Sequence, residues 1–394
     1  MRILTLSDLY YPHNPGGAQE VARRLTLGFR NCGHEVAVVC SHDPSSKAVD
    51  TYEETTIFSI AQQAGLSQLA GGFEAPETTA QIIEAFNDFS PDIIHAHNVH
   101  SALGWAWISK AKEKGIKIMM TFHDHMAVSQ GKLIPEIHAG PRETIKQTFF
   151  KEFLRYRRSY VFGRRKKIIN AVKKCDQLTA VSVDLAKQLR ANGLPEMKVI
   201  LNGADVSQDA PVEISSEPTL FFLSRPTAEK GLHVLMKALE ASENNWKLIV
   251  AGNVSDSQKE YCRRLAPSIV PEYTGWISGE EKKKYIDASW AICNLSIYPD
   301  PCPLSNYEPM ARARPVLGTL WGGSPEVLQN GEEAWLLDPR NSAALQKALN
   351  EIYKNPQEVT RRGQNAYKKI LKQFQWAQIT ESYLKYLLGK PIKT

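Results

Sequence analysis

No stretch of this chain comes near the run of about 18 apolar residues that a membrane-spanning helix needs. The opening MRILTLSDLYYP carries one Arg before a short apolar run that stops at Asp8, too short for the apolar core of a secretory leader. A soluble, cytoplasmic protein is therefore expected. No C-x-x-C occurs: the six cysteines stand apart at 32, 40, 175, 262, 293 and 302. That scatter excludes a cysteine-built zinc cluster and predicts buried small apolar residues in a reducing compartment. No low-complexity or collagen-like stretch is present, and 43% hydrophobic with 23% charged residues is ordinary globular composition. No G-x-G-x-x-G follows a strand, and no acid stands where a ribose would need one at the end of the second strand. Binding of a nicotinamide dinucleotide is thus poorly supported.

What is present is length and alternation. A chain of 394 residues predicts two or three domains at about 100–200 residues each. Short apolar runs alternate with longer amphipathic segments. RILTLS reads as a strand and AQEVARRLTLGFRNCGHE as a helix ending near Gly33. VAVVCS, PDIIHAH and IKIMMTFHD are strands, with a helix around ALGWAWISKAKEKG. QLTAVS is a strand, followed by the helix DLAKQLRANG with an Asp cap and a Gly stop. The pattern restarts with TLFFLS, KGLHVLMKALEA, WKLIVAG, SDSQKEYCRRLA, EYTGWIS, EEKKKYIDAS, WAICNLS, a helix after Ser305, and PVLGT. Near-continuous apolar strands belong to parallel sheets covered on both faces, so the fold class is α/β, with two Rossmann-like doubly wound domains. The polar, Pro-bearing stretch 203–219 is the expected join. The expected domains are 1–205 and 206–374, facing across a cleft. An amphipathic helix over 375–394 crosses back to the N-terminal domain.

Charge is uneven. From Arg142 to Lys174 there are twelve Lys or Arg and two Glu, a balance of +10, which leaves −4 for the rest of a chain whose net charge is +6. Aromatic and aliphatic residues are interleaved with the cations, as in a helix pair with an apolar side and a cationic rim. No stacking platform or fingerprint for nucleic acid accompanies them.

Three motifs concentrate chemistry-bearing residues. In NPGGAQEVARRL (14–25), Gly16 and Gly17 open a helix whose N–H groups could meet a phosphate. In LSRPTAEKGLHVL (223–235), Arg225 ends a strand and Lys230 precedes a helix start, a seat for a diphosphate. In YPDPCPLSNYEPMARARPVLGTLWGGSPEV (298–327), Asp300 and Glu308 stand eight apart, followed by a short strand and a Gly-Gly pair.

The last motif resembles the signature of retaining glycosyltransferases of family 4, which have the GT-B fold: an acid, seven residues, Glu, a small helix, a Pro-Val strand and a G-G-x-x-E segment. Glu308, Pro315-Val316, Gly322-Gly323 and Glu326 match it. Gly16-Gly17, TFHD (121–124), VILNGAD, SRPTAEKG and YTGWIS resemble further family markers in the same order. The chain departs from the pattern at Asp300, where Glu is usual, at PCPLSN, and at MARARP after Glu308.

The resemblance implies a metal-independent transfer of a hexose, with retention, from a nucleotide sugar such as UDP-glucose to a hydroxyl acceptor, in envelope or exopolysaccharide synthesis. No cofactor beyond the nucleotide sugar is implied, and no D-x-D is present to hold a metal on the diphosphate. By the resemblance, Arg225 and Lys230 stabilise the leaving diphosphate, Asp300 holds the sugar, and Glu308 holds the ribose hydroxyls. Leu304 and Ser305, after the stiffening Pro303, offer main-chain N–H groups to the phosphates. His123 lies beside the reacting sugar, and Gly16 and Gly17 approach it with main chain. Asn202, Gly252, Asn253, Trp276 and Ile277 complete the nucleotide site. The basic segment has three readings: contact with an anionic membrane at the inner face, a seat for a sugar or lipid-linked acceptor, or a solvated helix. Two rival functions remain. His95, His97 and His123 at strand ends could serve a zinc hydrolase. Asp300 in place of Glu could mark a nucleotide-sugar-binding protein without catalysis.

Overall fold

The computed structural model describes residues 1–12, 16–62, 75–132, 144–206 and 213–389. The described residues of Met1–Ile134, Thr144–Leu201 and Trp376–Thr394 form one unit, and those of Asn202–Gln375 the other. Residues 14 and 15 of the first glycine motif, 141–143 of the basic segment and 207–212 of the expected join lie outside the described residues.

The N-terminal unit is built on β1 (Arg2–Ser7), β2 (Glu35–His42), β3 (Thr51–Tyr52), β4 (Thr55–Ala61), β5 (Ile93–Ala96), β6 (Lys117–Phe122), β7 (Gln177–Ala180) and β8 (Lys198–Val199). They pair in the order β3-β4-β2-β1-β5-β6-β7-β8, all parallel except the β3–β4 pair. The strands read as unbroken apolar runs because both faces are covered: β1 is buried from Ile3 to Ser7 and β5 throughout. Helix Trp376–Leu387 packs in this unit against helix Gly17–Asn31. A Cβ on Gly28 would stand 2.2 Å from the Thr380 hydroxyl oxygen, so glycine permits the close approach. The Gln177 side-chain amide donates to the Tyr386 carbonyl at 2.5 Å.

The C-terminal unit holds β9 (Thr219–Phe222), β10 (Lys247–Ala251), β11 (Glu272–Gly275), β12 (Ala291–Asn294), β13 (Val316–Thr319) and β14 (Ala334–Leu337), in the order β11-β10-β9-β12-β13-β14 and all parallel. The order reverses between β9 and β12, the switch point at which doubly wound sheets bind ligands. Leu235, Leu239, Leu248, Leu345 and Ile352 form part of one core on one face of the sheet, and Phe221, Ile249 and Ile292 part of a smaller one on the other.

The structure corrects three expectations. The helix after QLTAVS, Val183–Ala191, is capped by Ser182, whose hydroxyl accepts from the Leu185 amide; Asp184 lies in its first turn instead. Helix Trp107–Glu113 is shorter than ALGWAWISKAKEKG suggested, because Ala102–Trp105 belong to a loop. Of the six cysteines only Cys40, Cys262 and Cys293 are fully buried; Cys32 is exposed at the turn that ends helix Gly17–Asn31. Among the described residues no helix is long and apolar enough to cross a membrane.

Candidate active site

The carboxyl ends of β9, β10, β12 and β13 bring most of the C-terminal candidates together. Arg225 is exposed on the loop leaving β9. That loop is seated on Gly252, where φ is +94° and a Cβ would lie 2.9 Å from Pro226 Cδ and 3.3 Å from the Ser224 carbonyl oxygen. The Gly252 amide donates to the Gly275 carbonyl at 2.7 Å, which joins the rim to the turn after β11. Asn253 is exposed beside it. Trp276 is exposed, whereas the Ile277 side chain is sunk in the core with Phe221 and Ile249, so Ile277 can offer a ligand only its main chain.

Lys230 ends a short 3-10 turn, Ala228–Lys230, and its ammonium forms an ion pair with Asp300, a salt bridge in which both side chains are nearly buried. The ammonium also lies 5.0 Å from the centre of the Tyr298 ring. Burial, and then the neighbouring Asp300 carboxylate, push the Tyr298 hydroxyl far above the usual phenol range, so it stays a hydrogen-bond donor to Asp300. The two catalytic candidates that stand seventy positions apart in sequence thus meet directly. Two glycines allow it. At Gly231, φ is +82° and a Cβ would fall 2.0 Å from the Leu295 carbonyl oxygen. At Gly322, φ is +66° and a Cβ would fall 2.3 Å from the Asp300 carbonyl oxygen. The Gly323 amide donates to that same oxygen at 2.9 Å.

Pro303 caps helix Leu304–Met310, with Leu304 and Ser305 in its first turn, where main-chain N–H groups lack helical partners. Glu308 lies on this helix, half-buried, and accepts from the Lys282 ammonium at 2.7 Å. The Asn202 side-chain amide donates to the Cys302 carbonyl at 3.2 Å, tying the NGAD segment to the loop that carries Asp300. Burial pushes the Cys302 thiol up to about 12, and its sulfur sits 3.0 Å from the Tyr307 hydroxyl, so it is no thiolate nucleophile.

Sequence reasoning missed the brace under this helix. Asn294 donates to Asn306 at 2.8 Å, and Asn306 donates to Ser324 at 3.0 Å, all three fully buried. Lys282 was missed as well, because it lies on helix Gly279–Asp287, well before the motif. The MARARP departure is structural: Arg312 grips Asp287 at 2.6 and 2.8 Å, and the buried Arg314 donates to the carbonyls of Glu213 and Asp287.

His123, Gly16 and Gly17 lie in the N-terminal unit. Gly16 precedes helix Gly17–Asn31 in extended conformation, φ −139° and ψ 179°, so its main chain does not require glycine there. His97 Nδ1 and His123 Nε2 are 2.8 Å apart, and His95 Nε2 is 2.8 Å from the Thr121 hydroxyl. Burial lowers His123 to about 4 and His95 to about 3, and holds His97 well below the usual imidazole range. Two neutral rings facing each other at hydrogen-bond distance share a proton, and that spacing is too short for both nitrogens to ligate one tetrahedral zinc. Among the described residues no group of three His, Cys, Asp or Glu is placed to hold a metal ion.

These rings make stability depend on pH. The unfolded imidazole binds a proton below about 6.5, whereas folded His95 does not until about 3. The unfolded state therefore binds more protons in this window, so stability is complete above about pH 6.5 and falls as pH drops toward 3. Acidification from pH 6.5 to 5 should cost about 2 kcal/mol through His95 alone. Urea titrations at the two pH values read this, and His95→Gln should flatten the dependence. An unchanged slope would refute the assignment.

Comparison with known proteins identifies the family. The Glycosyltransferase Family 4 model matches residues 15–208, and the model for glycosyl transferases group 1 matches 205–369. Glycogen synthase of Mycobacterium tuberculosis is 23% identical over 427 residues, spanning 99% of this chain and 95% of that protein. O-antigen chain mannosyltransferase C of Escherichia coli is 21% identical over 393 residues, 98% of this chain and 97% of its own. Among solved structures, sucrose-phosphate synthase from Thermosynechococcus elongatus has a TM-score of 0.75 at 17% identity, covering 98% of both chains. Anabaena HepE in complex with UDP and glucose has a TM-score of 0.72 at 17% identity, covering 98% of this chain and 99% of that one. The chain has the GT-B fold, is an enzyme of the glycosyltransferase class, and belongs to glycosyltransferase family 4.

Proposed function

We propose that this enzyme is a retaining, metal-independent hexosyltransferase that moves glucose or a closely related hexose from a UDP-sugar to a hydroxyl acceptor. The observation that carries this reading is the meeting of Lys230, from the turn after β9, with Asp300, from the loop after β12, with Glu308 on the helix that follows Asp300. Arg225, on the loop leaving β9, and Lys230, on the turn that follows it, are cations suited to neutralising the leaving diphosphate without a divalent ion. Asp300 binds a sugar hydroxyl, oriented by Lys230 and the Tyr298 hydroxyl. Glu308 takes the ribose hydroxyls once Lys282 turns aside or shares the ligand. No protein nucleophile is invoked: the leaving diphosphate accepts the acceptor's proton on the face it departs from, which retains configuration. The protein then contributes positioning and charge stabilisation. The O-antigen relative supports an envelope or exopolysaccharide product and a sugar or lipid-linked sugar acceptor. The HepE complex supports UDP as the carrier.

Thermal unfolding with UDP-, GDP- and ADP-sugars, each with and without chelator, tests this. A ligand at about 100 times its Kd adds about 2.7 kcal/mol of stability. The expected result is a shift with UDP-sugars that chelator leaves intact. A shift with GDP- or ADP-sugars alone would reassign the donor, and one that chelator abolishes would reject metal independence. Glu308→Ala should weaken UDP binding about 10–100-fold, the loss of charge-assisted hydrogen bonds to two hydroxyls. Unchanged UDP affinity by calorimetry would remove Glu308 from the ribose site.

A further inference from the structure

Helix Phe149–Tyr156 is built inside out. Its buried residue is Glu152, whose carboxylate accepts from the Ser129 hydroxyl at 2.9 Å and the Gln130 amide at 2.7 Å. Its outward side carries Phe149, Phe150, Phe153 and Leu154, of which Phe150 is 66% exposed. A helix serving only its own fold places its acids outward and its rings inward. The exposed rings are also gathered rather than scattered. Phe149 and Phe153 stack with centres 5.7 Å apart, and Phe162, itself 68% exposed, lies 6.1 Å from each. Contiguous exposed apolar patches mark sites of interaction.

The charge around the patch says what covers it. From 144 to 174 the single acid is Glu152, and it is buried; eleven residues are Lys or Arg. Lys151, Arg157, Arg158, Lys166 and Lys173 are exposed. Tyr160 joins the two features. Its ring packs on Phe149, Phe153 and Phe162 at 5.5, 5.8 and 5.1 Å. It also lines an open recess of about 440 Å³ together with Arg165, Lys166, Ile169 and Lys173. Arg165 is fixed there by the carbonyls of Gln147 and Asn192. An apolar crest beside a cationic recess, with no exposed acid within 144–174, matches a surface that is anionic outside and apolar within.

We propose that this face docks on an anionic phospholipid membrane, with the Phe149–Phe162 crest entering the interface and the recess behind Tyr160 receiving a lipid phosphate. The attachment is peripheral, as for an interfacial amphipathic helix backed by basic residues. It stands independently of the donor and acceptor proposed above.

The test is co-sedimentation of the full chain with phosphatidylcholine vesicles, alone or with about one third phosphatidylglycerol. The parent should bind only the anionic vesicles, and less at high salt. Lys166→Gln with Lys173→Gln should weaken binding about fivefold for each charge removed. Phe150→Ser with Phe162→Ser should weaken it at least about tenfold. Both pairs are exposed, and the thermal midpoint and UDP response should match the parent. Failure to bind anionic vesicles, equal binding to neutral ones, or parent-like binding by both variants would overturn the proposal. Glycerol phosphate bound in solution by a parent that does not sediment with anionic vesicles would instead assign the recess to a free phosphate. A parent dimer in light scattering that the Phe variant abolishes would assign the crest to a second copy. Either result overturns membrane docking.

Discussion

Lys230→Ala should lower turnover about 10²–10³-fold, the usual loss when one charge-stabilising donor leaves a reaction centre. The variant has a second consequence, because Lys230 is also the partner of Asp300. Its removal leaves a nearly buried carboxylate beside the Tyr298 hydroxyl without its cation, at a stability cost of about 1–3 kcal/mol. Arg225→Ala separates the two effects. Arg225 is exposed, so its stability should stay within about 0.5 kcal/mol of the parent while turnover falls to the same degree. Adding Asp300→Asn to Lys230→Ala should restore stability without restoring turnover, a coupling that a double-mutant cycle reads directly. Near-parent turnover in both single variants would end the role given to these cations.

The parts of this site that were legible in the sequence are those whose chemistry is local. Arg225 at the end of β9 and Lys230 before a helix are placed by a strand-turn-helix pattern within a dozen residues. Asp300 and Glu308 are placed by one loop and one short helix. The Gly322-Gly323 pair was visible as part of the motif, but the closing of Gly322 on the Asp300 main chain was not. What could not be read was pairing between distant segments. Nothing near Lys282 marks it as the partner of Glu308, since the two meet only through the reach of side chains from helix Gly279–Asp287 and helix Leu304–Met310. The Asn294–Asn306–Ser324 brace likewise joins a strand end, a helix and a turn that sequence treats separately.

The same limit governed the fold. Strands with long apolar runs were visible, but β4, the short β3 beside it and the helices Ser342–Lys354 and Pro356–Gln373 were not read from the pattern. β4 alternates because one of its neighbours is only two residues long and leaves part of it exposed. The basic segment was read as helices with an apolar side. Which way that side faces depends on Ser129 and Gln130 drawing Glu152 inward, a contact between segments more than twenty residues apart.

Gly322→Ala should be among the most damaging single methyls in the C-terminal unit. The residue sits at φ +66°, which costs a non-glycine residue about 1–2 kcal/mol even in open space. Here the space is closed by main chain: the Cβ would meet the Asp300 carbonyl oxygen at 2.3 Å and its nitrogen at 2.7 Å. Neither atom can rotate away as a side chain would, so the loop carrying Asp300 must move, and with it the Lys230 ion pair. Gly331→Ala is the matched control, with φ +87° and nothing within 4 Å of the added Cβ. It should lose only the conformational cost, about 1–2 kcal/mol, and keep its turnover. Gly322→Ala should lose about 2–4 kcal/mol more than the control and at least about 10²-fold in turnover, as a misplaced reacting group does. Urea unfolding and steady-state kinetics on the pair decide it. Equal losses in the two variants would mean that the Asp300 loop yields freely, and that Gly322 is there for its φ alone.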